Sequence, residues 1–190
     1  MTKYLSAKPL LTEAPHLVYQ IKVELLHVPY AVWRVLLIDG ETDMYSLQII
    51  LLRAMDGWDF SHLFGLEIPR RAYRPADERF SLDEDQPENR RLCDTMKLKA
   101  KAFLTYDYGD SWKHEVTVMK ILPDSTAKTP FCIRASGKCP PEDCGGSFGL
   151  AYKLGILQHP EDPEYEEIHG WMGDFNPEEV SLESINRRIG

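Results

Sequence analysis

Between residues 113 and 121 the chain alternates: His114, Val116 and Val118 fall on one side, and Glu115, Thr117 and Met119 on the other. A period of two is the signature of a strand with one face against a core, and no helix can hold it. The same alternation runs through 18–27, where Tyr19, Ile21, Val23 and Leu25 share a face, and through 97–106, where Ala100, Ala102 and Leu104 oppose Lys99, Lys101 and Phe103. Residues 31–38 form a further apolar run containing Trp33, separated from 18–27 by Pro29 and Tyr30. These runs predict two antiparallel hairpins, the second connected through the turn-rich Asp107-Tyr108-Gly109-Asp110-Ser111-Trp112.

Helical spacing enters between the hairpins. Leu47, Ile50, Leu51 and Ala54 follow the i, i+3, i+4, i+7 pattern behind a cap at Thr42 or Asp43, with Gly57 as the stop, and 62–68 reads as a third strand. The opening unit is therefore strand, strand, helix, strand. Residues 69–94, with Pro69, Pro75 and Pro87 among charges, read as a long surface loop, and 1–17 as a flexible N-terminal segment. Ser147 is expected to cap a helix through Leu150, Leu154 and Leu157 that ends at His159-Pro160. Pro163 opens another, and Ser181 caps a last one over 182–189. Strands first and helices last predict an α+β fold: an antiparallel or mixed sheet from two hairpins, helices packed on it, and a helical C-terminal third.

A chain of 190 residues suits one domain, 1–190, and buries about 70% of its unfolded surface, so it needs neither disulfides nor a metal to fold. The N-terminus lacks a signal-peptide pattern, and no run approaches the ~18 apolar residues of a membrane helix. Four cysteines in such a chain are expected to be reduced thiols or ligands, and the protein soluble and cytoplasmic. The formal net charge of −8 disfavours nucleic acid as a partner. A local exception is Arg70, Arg71 and Arg74, which Arg90 and Arg91 would join across the loop. From Glu142 to Glu179 ten acidic residues face the single basic Lys153, so the helical layer presents a negative surface.

Two stretches concentrate chemistry. In the first, His114 shares the apolar face of its strand, where the ordinary role is a core imidazole satisfied by one carbonyl. Asp107 and Asp110 supply the other role, orienting the ring beside walls of Tyr108 and Trp112. The second is Cys139-Pro140-Pro141-Glu142-Asp143-Cys144-Gly145-Gly146. As a metal site it would use Cys132, Cys139, Cys144 and His114, yet six residues separate the first two cysteines and four the next, so only the second gap fits zinc spacing. As a nucleophile, Cys144 precedes a helix start, but Glu142 and Asp143 oppose its thiolate. As a structural loop, Pro140-Pro141 stiffens the approach, Gly145-Gly146 permits unusual backbone angles, and Asp143 or Glu142 caps the following helix.

The order of Gly57-Trp58-Asp59-Phe60-Ser61-His62-Leu63, residues 106–114, residues 139–146, Asp174-Phe175-Asn176-Pro177-Glu178-Glu179 and Ile185-Asn186-Arg187-Arg188 resembles the plasmid pRiA4b ORF-3-like family over nearly the whole chain. The resemblance implies an α+β fold and an association with plasmids or insertion elements, where members are also labelled TnpR passenger proteins. It implies no established activity or cofactor. Carried onto this chain, the motif positions are His62, Asp107, Gly109, Asp110, Trp112, His114 and residues 139–146. Members commonly have His-Leu-His where this chain has His62-Leu63-Phe64, so a metal site using both histidines would be incomplete here.

The expectation is a binding or interaction module for an unidentified small ligand or protein partner. Its candidate pocket comprises His62, Tyr108, Asp110, Trp112, His114, Glu142, Asp143, Gly145 and Gly146. The alternatives are a metal-assisted hydrolase or nuclease-like enzyme using a divalent ion at these histidines and carboxylates, and a nucleic-acid-binding accessory protein using the arginine loop.

Overall fold

The computed structural model describes residues 16–69, 71–73, 89–123 and 125–190. Among the described residues, seven strands make one antiparallel sheet: β1 (Leu17–Leu25), β2 (Val32–Asp39), β3 (Phe64–Ile68), β4 (Arg71–Tyr73), β5 (Lys101–Tyr106), β6 (Trp112–Pro123) and β7 (Phe131–Ser136). Their spatial order is β4-β3-β5-β6-β1-β2-β7. Five helices accompany them among the described residues: α1 (Met44–Met55), α2 (Leu92–Thr95), α3 (Gly146–Ile156), α4 (Tyr165–Met172) and α5 (Leu182–Ile189). The class is α+β, and no helix among the described residues is long and apolar enough to cross a membrane.

Both hairpins form, β1 with β2 and β5 with β6. Register then joins them, because Val23 lies opposite Val116 and Leu25 opposite His114, while Ala102, Leu104 and Tyr106 pair with Val116, His114 and Trp112. All of these side chains are buried, so one face of the central strands is a continuous core floor. α1 lies over β2, with α5 against both α1 and β7. Asp43 caps α1 by accepting from the Ser46 amide at 2.7 Å, and Ser181 caps α5 by accepting from Ser184 at 3.2 Å.

Several local expectations need correction. β7 has no counterpart in the sequence reading: Phe131-Cys132-Ile133-Arg134-Ala135-Ser136 does not alternate cleanly, and the strand pairs only with β2, across a register shift. Segment 69–94 carries β4 and α2 near its ends, while Arg70, Arg74 and most of its length lie outside the described residues. Of the segment 1–17, Leu17 already belongs to β1 and residues 1–15 lie outside the description. Gly57 does not stop α1, since Asp56 already takes the left-handed conformation at φ 66°. Gly57 permits close packing instead: a Cβ there would fall 2.6 Å from the Cβ of Cys139. Nor does Ser147 cap α3, whose capping residue is Gly145.

A charged residue organises this core. Arg34 sits on β2 opposite Val23, facing inward, and is 1% exposed. Its Nε donates to Ala54 O at 2.8 Å and Nη2 to Met55 O at 2.9 Å, both at the end of α1. Its Nη1 donates to Ser136 O at 2.7 Å and to Trp33 O at 2.9 Å, reaching the end of β7. The planar fork thus satisfies helix-end carbonyls that lack intrahelical partners, and its charge opposes the negative end of the helix dipole. Replacing Arg34 with Met should cost about 3 kcal/mol or more in urea unfolding, because buried carbonyls lose their donors. Arg34→Lys, with a point charge in place of the fork, should recover only part of that loss.

Candidate metal centre

Three loops meet at the end of the β5–β6 hairpin. The first, after α1, carries Trp58, Asp59 and His62; the second is the connector 107–111; the third is 139–146. The ladder itself brings the first two together. Phe64 pairs with Tyr106, and the Asp107 amide continues the pairing by donating to Leu63 O at 2.9 Å.

His62 stands between two carboxylates. Its Nδ1 lies 3.7 Å from Asp107 Oδ1 and its Nε2 3.3 Å from Asp143 Oδ1. One ligand atom from each of the three residues falls within 4.8 Å of the others, the one such group among the described residues. Asp107 is nearly buried and held by its backbone: φ is 52°, its Oδ1 accepts from the Gly109 amide at 2.8 Å, and its carbonyl accepts from Ser111. Asp143 also has a left-handed φ, 54°, but its side chain is 74% exposed. With Phe60 and Ser111, four non-glycine residues around this site take positive φ, a conformation that costs free energy and that aspartate tolerates better than most residues.

Glu142 ties the loops together. Its Oε1 accepts from the Asp59 amide at 2.9 Å and from the Tyr106 hydroxyl at 2.8 Å. Its Oε2 is buried without a hydrogen-bond partner among the described residues. Burial first, and then the hydrogen bond to Glu142, hold the Tyr106 phenol well above its ordinary pKa. Neither carboxylate of the 139–146 loop caps α3. The helix start is met from the connector, where Asp110 Oδ2 accepts from Gly145 N at 3.1 Å. A Cβ on Gly146 would lie 2.4 Å from Asp110 O, so only glycine admits this approach.

The structure therefore divides the candidate pocket residues. His62 and Asp143 come together, with Glu142 bonded to the His62 loop. Asp110, Gly145 and Gly146 form a separate contact beside them, and Tyr108 is exposed. Trp112 and His114 belong to the core. His114 is fully buried, its Nδ1 3.0 Å from Leu104 O and its ring edge-on to Trp58, so it fills the ordinary role of a core imidazole. Trp58 stacks on Tyr106 and Trp112 at centroid distances of 4.6 and 6.0 Å, forming the floor beneath the loops.

The cysteines gather no metal set. Cys132, Cys139 and Cys144 are buried free thiols, and no metal-capable group among the described residues includes a cysteine. Burial raises all three pKa values, with nearby Asp110 helping to push Cys144 up to about 11, so none is poised as a thiolate. Arg91, from the arginine-rich segment, is bound by Asp94 at 2.7 Å and Glu41 at 2.8 Å. Asp107, expected from its place in the connector to orient His114, faces His62 instead. No spacing along the chain pairs the Asp59-Phe60-Ser61-His62 stretch with that connector.

The family model described as "Plasmid pRiA4b ORF-3-like protein" matches residues 17–184. The chain is 28% identical over 179 residues to the uncharacterized protein y4hQ of Sinorhizobium fredii (strain NBRC 101917 / NGR234), covering 90% of each chain. It also superposes on the crystal structure of MM3350 from Methanosarcina mazei Go1, a protein of unknown function. That match has a TM-score of 0.76 and 27% identity, over 90% of this chain and 98% of the other.

Burial lowers the His114 pKa from 6.5 to about 4, and this has a measurable consequence. The folded imidazole stays neutral where the unfolded one takes a proton. Its stabilising effect is therefore intact above pH 6.5 and lost as pH falls from there toward 4, by up to ~3 kcal/mol. Urea unfolding across that window should show a shallower fall for His114→Phe than for the unaltered chain. Independently, Gly146→Ala should destabilise by more than about 2 kcal/mol through strain at φ +66° and the clash with Asp110.

Proposed function

The chain belongs to the plasmid pRiA4b ORF-3-like family, and we propose that it is a binding module for a divalent cation centred on His62, Asp107 and Asp143. The observation that carries this reading is the imidazole flanked by two carboxylates, with all three ligand atoms inside 4.8 Å. Surrounding charge favours it: Asp59, Asp110 and Glu142 crowd the same loops, and none of the five carboxylates has a Lys or Arg ion-pair partner among the described residues. A cation would relieve that repulsion. One imidazole with two carboxylates suits Zn2+ or Mn2+ better than a thiolate-seeking ion. Asp107, locked by its own turn, is the rigid ligand, and exposed Asp143 closes on the ion from solvent.

A second reading builds on the first. Three protein ligands would leave coordination positions open to solvent on the exposed Asp143 side, as in hydrolytic rather than structural metal sites. Glu142, hydrogen-bonded by Tyr106, is then the candidate base.

Calorimetric titration of chelator-treated protein with Zn2+ and with Mn2+ should give one site per chain and a rise in Tm. His62→Ala should abolish binding, and Asp107→Asn should weaken it by about tenfold or more. Absence of any heat and any Tm rise, or binding that survives His62→Ala, would overturn the proposal.

A further inference from the structure

α3 turns two faces of opposite fate. Leu150 is buried and Leu154 packs on the core, whereas Phe148, Ala151, Tyr152 and Gly155, at i, i+3, i+4 and i+7, all face solvent. Phe148 is 89% exposed and Tyr152 53%. An apolar helical stripe normally faces inward, and this helix already buries its other one. Phe148 and Ala151 also line a cleft of about 870 Å³ together with Val28 and Pro29, and with the polar His27, Asp110, Ser111 and Lys113. The surface is thus concave and mixed in character, its apolar part carrying the exposed ring of Phe148.

Its rim is acidic. At the Tyr152 end Glu164 accepts from the Tyr152 hydroxyl and Asp162 lies close by, while Glu166 and Glu167 continue the acidic run in the first turn of α4. The one basic residue of the layer is turned away: Lys153 donates to Cys144 O at 3.0 Å and sits 5.1 Å over the ring of Trp171, itself half exposed. We propose that this α3 face and cleft dock a basic amphipathic segment of another protein, its apolar side on Phe148, Ala151 and Tyr152 and its lysines or arginines against the acidic rim. Charge complementarity selects this occupant. A second copy, with net charge −8 and the same acidic layer, would meet like charge with like. Aromatic anchors beside a groove are the usual energetic centre of helix-in-groove docking. The cleft borders the loops of the metal centre through Gly109, Asp110, Gly145 and Gly146, but His62, Asp107 and Asp143 do not line it.

The test uses the full chain and fluorescent peptides by anisotropy: a leucine/lysine amphipathic peptide, a serine/lysine peptide of equal charge, and a leucine/glutamate peptide. The leucine/lysine peptide should bind. The other two, and the leucine/lysine peptide on Phe148→Ser or Tyr152→Ser, should bind at least about tenfold more weakly. Both variants change exposed side chains, so Tm and metal binding should be unaltered. Equal binding of the serine/lysine peptide or of the serine variants would reveal charge alone and overturn the proposal. So would no binding of the leucine/lysine peptide. A sedimentation dimer abolished by Phe148→Ser would assign the face to a second copy and likewise overturn it.

Discussion

The guanidinium of Arg34 is the constraint on which the rest of the molecule depends. A charge buried beneath a sheet is tolerable only where every donor finds an oxygen, and here the oxygens come from three elements: β2 itself, the last turn of α1 and the end of β7. The helix can therefore end in one place only. Asp56 turns left-handed at that point, Gly57 presses on Cys139, and Trp58 enters the core under Tyr106 and Trp112. One fork of hydrogen bonds thus aligns the loop bearing His62 with the loop bearing Asp143.

The site inherits its rigidity from this arrangement. His62, Asp107 and Asp143 all sit in loops, which are usually the more mobile parts of a fold. Each loop is nevertheless pinned at its base: the first by the Asp59 amide to Glu142, the connector by the sheet ladder, and the third by Gly145 to Asp110. Positive φ at Asp107 and Asp143 holds carboxylates where ordinary turns would not, at a cost that the surrounding core sustains. In the proposed cation site, buried Asp107 would be the fixed ligand and exposed Asp143 the accessible one.

His114 illustrates how sequence pattern both guides and misleads. Its alternation with Val116 and Val118 correctly put it on the inner face. The neighbouring aspartates suggested a polar role there, but a strand end and its connector diverge: Asp107 leaves the ladder toward Leu63 and finds His62 instead. Glu142 and Asp143 were legible as the carboxylates of a stiff loop, and His62 as a motif residue. The expected pocket already grouped them; that Asp107, rather than Asp110, stands beside His62 was not legible, since the connector leaves the ladder toward Leu63. The cysteines, prominent in the sequence, turned out to be packing groups.

Legible along the chain were features set by neighbours a few residues apart: the two hairpins, α1 with a cap at Thr42 or Asp43, the Ser181 cap on α5, and hence the α+β class, though not the Gly57 stop or the Ser147 cap. Period and capping chemistry are local, so they can be read along the chain. The tertiary structure alone decided the order of strands, the existence of β7, the inward turn of Arg34 and the placing of His62 between Asp107 and Asp143. These depend on which distant backbone oxygens and side chains share one core, and burial strengthens their interactions only after the chain has closed around them.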